Sequence, residues 1–155
     1  MRSGLSLASF SLFAAGILLA SASDAKVITY TFTPLSSLGG NSYASAINNS
    51  GKIVGYSYLP NNSVFHAVRW NGSTATDIGT LNGKNSEASG INDSGQIVGQ
   101  SWDADDMPRP VLWNGSQVTD LGTLGGRVGF AGDINSSGQI AGQSDSSLGQ
   151  RLATR

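Results

Sequence analysis

The sequence predicts an all-β fold: tandem four-stranded antiparallel units of about 43 residues, β-propeller-like, forming a closed ring or an incomplete, open array. Three observations carry that expectation. The phrase Ile-Asn-x-Ser-Gly-x-Ile-x-Gly occurs at residues 47–55, 91–99 and 134–142. The text between the phrases keeps time: Leu38, Leu81 and Leu124 are spaced by 43 residues, as are Trp70 and Trp113, and Asp77 and Asp120. Fixed periods in the low forties belong to architectures in which each copy is one supersecondary unit. Beyond residue 25 no stretch sustains a 3.6-residue period, and the 21 Gly against 4 Pro suit tight turns between short strands.

The middle copy shows the unit element by element. Residues 88–91 form a short extended segment, and Asn92-Asp93-Ser94-Gly95 is a turn of residues that tolerate left-handed backbone. A β-branched strand follows at 96–101, then a polar, variable loop at 102–108, then a third strand at 110–113. Asn114-Gly115 is a strong two-residue hairpin signal, and 117–121 is the fourth strand. Such a sheet cannot bury both faces alone, whereas sheets stacked side by side bury each other's. The Ile, Val, Leu and Trp positions are therefore expected at the seams. Gly55, Gly99 and Gly142 are expected where backbones approach closely or a strand bends.

The units fall at about 35–77, 78–120 and 121–155, the last truncated before its Trp position. Residues 26–33 precede Leu35 and Leu38 as 73–80 precede Leu81, and they predict a lone fourth strand. Residues 152–155 take the register of 66–69. The early strand is expected to complete the last sheet and close the array, or else the array is open or an inactive fragment of a longer propeller protein.

Composition narrows the function classes. Charged residues make up 12% of the chain, and 9 basic residues nearly balance 10 acidic ones, with no long run of either sign. Attraction to nucleic acid or anionic lipid is unsupported. Residues 1–25 have one basic residue, Arg2, an apolar core from Leu5 to Leu19, and small residues at Ala20-Ser21-Ala22 and Ser23-Asp24-Ala25. That is the layout of a secretory signal peptide, followed by a β-repeat domain at 26–155. The apolar run is shorter than the roughly 20 residues a spanning helix needs, so no stable membrane insertion is expected after cleavage. The expected location is secreted, periplasmic or at the cell surface. The chain has no Cys, so disulfides cannot brace the domain.

His66-Ala67-Val68-Arg69-Trp70-Asn71-Gly72, Asp77-Ile78-Gly79-Thr80-Leu81-Asn82-Gly83 and Ile91-Asn92-Asp93-Ser94-Gly95-Gln96-Ile97-Val98-Gly99 together resemble the HAF repeat, a bacterial family of extracellular repeats. The resemblance runs from about Leu35 to Arg155. The triplet behind the family's name is degraded here to His66-Ala67-Val68, Arg109-Pro110-Val111 and Leu152-Ala153-Thr154. The resemblance implies export and a β-rich repeat structure, and it brings no catalytic residues.

Candidate sites are few. His66, the only histidine, shares its repeat position with Arg109 and Leu152, so neither a triad nor a histidine metal site is expected. Asp103, Asp105 and Asp106 crowd one loop and could offer oxygen ligands, but the other copies lack equivalent acids, and a solvated loop is expected. Asp77 and Asp120 recur in register and are expected to make turn or strand-end hydrogen bonds. Asn48, Asn61, Asn71, Asn92, Asn114 and Asn135 each begin an Asn-x-Ser sequon, and turn chemistry accounts for most of them. Tyr56, Tyr58 and Trp102 cluster after the second strand of their copies and form the best ligand-binding candidate: exposed rings there could stack on sugar faces, or they pack between neighbouring sheets. The sequence thus points to a non-enzymatic repeat protein without cofactor or metal. A structural or interaction role at or outside the cell surface is expected, with an unidentified protein or glycan as partner. Self-association is expected if the array stays open.

Overall fold

The structure, a computed structural model, describes residues 28–155. The signal-peptide reading of 1–25 lies outside the described residues. The chain divides into two compact units, Met1–Thr31 and Phe32–Arg155. Of the first, only residues 28–31 are described, and they carry no strand.

The second unit is all-β, with no helix among the described residues. It contains three antiparallel sheets in chain order. The first comprises β1 (Ser42–Ile47), β2 (Ile53–Tyr58), β3 (Phe65–Asn71) and β4 (Thr74–Asp77). The second comprises β5 (Ser86–Ile91), β6 (Ile97–Trp102), β7 (Pro108–Asn114) and β8 (Gln117–Asp120). The third holds β9 (Gly125–Ile134), β10 (Ile140–Ser146) and β11 (Arg151–Thr154), ordered β11-β10-β9. The strand expected at 26–33 does not appear in its described part, residues 28–33. A strand persists only through the ladder bonds of a neighbour, and the third sheet pairs no fourth strand among the described residues. Trp102 and Pro108, assigned to a loop by sequence, instead face each other across β6 and β7.

Matching registers explain the repeated phrase. Ile53 pairs with Trp70 as Ile97 pairs with Trp113. Ala44, Ala88 and Ala131 lie across from Gly55, Gly99 and Gly142, beside shifts in register in all three sheets. A Cβ on those glycines would run into the carbonyl oxygens of Tyr43, Glu87 and Phe130 respectively, so only glycine lets the bulged neighbour approach. The Asn-x-Ser-Gly segment is the turn between the first two strands. Asn48, Asn92 and Asn135 each accept a backbone N–H four residues on, from Lys52, Gln96 and Gln139, at 2.9–3.0 Å. Gly51, Gly95 and Gly138 take φ between 75° and 83°, a left-handed backbone that favours glycine.

The main apolar cluster lies between the first two sheets: Val54 and Ala67 from one, and Ala88, Ile91, Ile97, Val111 and Trp113 from the other. A second cluster joins Val98 to Ala131 and Ile134. The seams therefore hold the expected Ile, Val and Trp positions. Each sheet is also tied to the connector that leads into it. Leu38, Leu81 and Leu124 donate their backbone N–H to the buried hydroxyls of Ser57, Ser101 and Ser144 at 2.8–2.9 Å. Both seam tryptophans bond to a connector carbonyl, Trp70 Nε1 to Ser36 at 2.7 Å and Trp113 Nε1 to Gly79 at 3.3 Å.

Candidate functional site

Alternation along β2 sends Tyr56 and Tyr58 to one face and the buried Ser57 to the other. Across the ladder, Tyr43 stands opposite Tyr56 and Phe65 opposite Tyr58. The rings consequently form one connected group. Tyr43 stacks on Tyr56 with centroids 4.9 Å apart and planes 20° from parallel. Tyr58 meets Tyr56 edge-on at 6.0 Å, and Phe65 lies 5.4 Å from Tyr56 and 5.3 Å from Tyr58. Trp102 of the second sheet closes the row edge-on to Phe65, again at 5.4 Å. These are the offset and edge-to-face separations that aromatic pairs prefer.

The three aromatics named from sequence are thus brought into one row, with Phe65 as the bridge between Trp102 and the two tyrosines. Sequence reasoning missed Phe65 and Tyr43. The signal was the hairpin register, which places Phe65 across from Tyr58 and Tyr43 across from Tyr56. Tyr43 is the most open ring, 48% exposed, while Tyr56, Tyr58, Phe65 and Trp102 are half-buried.

The row belongs to one place on the scaffold, although Trp102 holds in the second sheet the position of Tyr58 and Phe130 holds in the third that of Tyr43. The positions of Tyr43 and Tyr56 are taken in the second sheet by Glu87 and Gln100, which face each other and share a 3.1 Å hydrogen bond from the amide to the carboxylate. In the third sheet the positions of Tyr58 and Phe65 hold Asp145 and Arg151, an ion pair at 2.8 Å. Partial burial, then the Glu87 carboxylate, pushes the Tyr56 hydroxyl above its ordinary pKa, with smaller contributions from Tyr58 and Tyr43. The phenol therefore stays a neutral hydrogen-bond donor and acceptor at physiological pH.

The other candidates resolve into structure. His66 Nδ1 lies 2.6 Å from Asp77 Oδ2, and Arg109 with Asp120 repeats that pairing in the second sheet at 3.1 Å. The remaining oxygens of Asp77 and Asp120 accept the N–H of Gly79 and Gly122, at 2.8 and 2.7 Å. Both aspartates thus anchor a strand-end turn. Asp103 Oδ1 accepts the N–H groups of Asp105 and Met107, which turns that acidic loop back on itself. Among the described residues no three His, Cys, Asp or Glu side chains converge as metal ligands.

Compared with models of known protein families, with curated proteins and with solved structures, the chain finds no match in any of the three.

Proposed function

We propose that this chain is an exported, non-enzymatic β-repeat protein that works by recognition at or outside the cell surface, its sheets stacked in a propeller-like array of HAF type. One observation carries the reading. The interior positions (the turn asparagines, the bulge glycines, the seam Ile and the strand serines bonded to the connector leucines) recur from sheet to sheet, whereas the rim positions vary: Tyr43 gives way to Glu87 and Phe130, Tyr56 to Gln100 and Gln143, Tyr58 to Trp102 and Asp145, and Phe65 to Pro108 and Arg151. A scaffold that holds its interior constant while varying one rim suits surface recognition. Incubating the folded domain with extracellular material of a producing cell, with and without Tyr43→Ala and Trp102→Ala, tests it. Loss of capture in those variants supports the rim, and capture by neither wild type nor variants counts against it.

A second reading makes the ligand a glycan, and the connected ring row favours it. Sugar rings present C–H faces that pack on aromatic rings, and neutral phenols and a neighbouring carboxylate can bond to hydroxyls. Binding on a glycan array that disappears in Trp102→Ala would support this reading. Uniform silence across the array would reject it in favour of a protein partner.

A further inference from the structure

The chain contains three Asn-Gly pairs, Asn71-Gly72, Asn82-Gly83 and Asn114-Gly115. Asparagine is a chemically labile residue. Before a glycine it is most exposed to attack by the next backbone nitrogen, because no Cβ obstructs the approach. The structure treats the three pairs differently. Asn71 and Asn114 end β3 and β7, where they pair with Thr74 and Gln117 across two-residue turns. Gly72 and Gly115 stand first in those turns, with φ of 60° and 64°, the place where such a hairpin takes glycine. Both pairs are exposed, and a Cβ on either glycine would meet no atom within 4 Å. Among the described residues neither glycine N–H has a backbone acceptor.

Gly83 is held instead. Its N–H donates to the Trp102 carbonyl at 2.9 Å, and a Cβ there would run into the carbonyl oxygens of Trp102 and Asp103. We infer that Asn71 and Asn114 are sites of spontaneous self-modification and that Asn82 is not. At an open pair the glycine nitrogen gives its proton to solvent and attacks the side-chain carbonyl carbon of the asparagine. The new C–N bond closes a succinimide ring, and the side-chain amide takes up a proton and leaves as ammonia. Water then opens the ring at one carbonyl or the other, which yields aspartate or isoaspartate. Water is the only co-reactant. Either product adds a negative charge at a hairpin tip next to seam Trp70 or Trp113, and isoaspartate also puts an extra methylene into the main chain. At Gly83 the same attack requires the nitrogen to leave the Trp102 carbonyl and give up a hydrogen-bonded proton. The fold therefore suppresses at the connector what it permits at the hairpin tips.

The intact protein, held folded at mildly alkaline pH and sampled over days, is digested and read by mass spectrometry. That readout resolves the replacement of the amide by an acid at each pair. A parallel sample unfolded in guanidinium chloride gives the unprotected rate of each pair. In the unfolded sample all three pairs should convert. In the folded sample Asn71 and Asn114 should still convert, while Asn82 should be slowed relative to them by about tenfold or more, the ratio set by the net worth of one hydrogen bond. Conversion of Asn82 at the pace of the other two in the folded protein would overturn the assignment. So would Asn71 and Asn114 that stay intact when folded yet convert when unfolded. None of these outcomes depends on the aromatic rim of the first sheet.

Discussion

The side-chain amide of Asn48 donates to the backbone carbonyl of Asn92 at 3.1 Å, and Asn92 in turn donates to the carbonyl of Asn135 at 3.2 Å. The repeated phrase therefore does two jobs with one residue. Its asparagine oxygen closes the turn within a sheet, and its asparagine nitrogen ties that turn to the next sheet. Removing the oxygen leaves the N–H four residues on without a partner, whereas the carbonyls that receive the nitrogen keep the N–H of Gly95 or Gly138.

Asn92 is buried, with 4% exposure. Asn92→Ala should cost about 1–3 kcal/mol, since the Gln96 N–H loses its partner and the Asn135 carbonyl keeps only the Gly138 N–H. Asn135→Ala, at an exposed turn with no onward link among the described residues, should cost less. Urea unfolding monitored by tryptophan fluorescence checks the order; equal losses would mean that the link between sheets contributes nothing.

Trp113→Ala should destabilise the fold by about 3–5 kcal/mol, the range for truncating a buried aromatic. Trp102→Ala should cost about 0.5–1.5 kcal/mol, because its half-buried ring meets mainly Phe65. Chemical denaturation of the two variants distinguishes seam from rim, and a reversed order would misplace the core.

Two glycines in the second sheet separate two kinds of constraint. Gly99→Ala drives a methyl into the Glu87 carbonyl and should disrupt the bulged β5–β6 pair by several kcal/mol, on the order of overpacking a filled core. Gly115→Ala meets no atom within 4 Å and pays only for its φ of 64°, about 1 kcal/mol. Thermal melts of both variants should show the first far below the second.

Acid should loosen the third sheet at β11. Hydrogen bonds from Arg151 hold the Asp145 carboxyl below its ordinary value of 3.8, outweighing partial desolvation and joined by the cation's charge. A carboxylate with a depressed folded-state pKa stabilises the fold above its unfolded pKa and loses that contribution as pH falls through the folded value. Protection of the β10–β11 amides, exchange corrected for the intrinsic rate at each pH, should therefore fall below about pH 4 in the wild type. Asp145→Asn should flatten that dependence, and an unchanged profile would show that the pair does not hold the hairpin.

Much of the fold was legible from residue order. Asn-Gly after Trp113 marked the β7–β8 hairpin, and the constant spacing of the Leu, Trp and Asp positions marked equivalent sheets, because turns and strand alternation are local properties. The glycines at 55, 99 and 142 read correctly as points of close approach. The strand expected at 26–33 read incorrectly over its described part, since a β-rich segment becomes a strand only where an edge receives it. Trp102 was placed in a loop for the related reason that strand ends are set by the partner's length, here by Pro108.

The sequence by itself determined the period, the turns and which apolar positions face a neighbouring sheet, because each follows from a few adjacent side chains and their backbone preferences. Only the tertiary structure decided that Tyr43 and Phe65 join Tyr56, Tyr58 and Trp102 in one row, and that Asn48, Asn92 and Asn135 link successive turns. Those relationships span tens of residues, and cross-strand register and the approach of one sheet to the next set them, so no short window of sequence contains them.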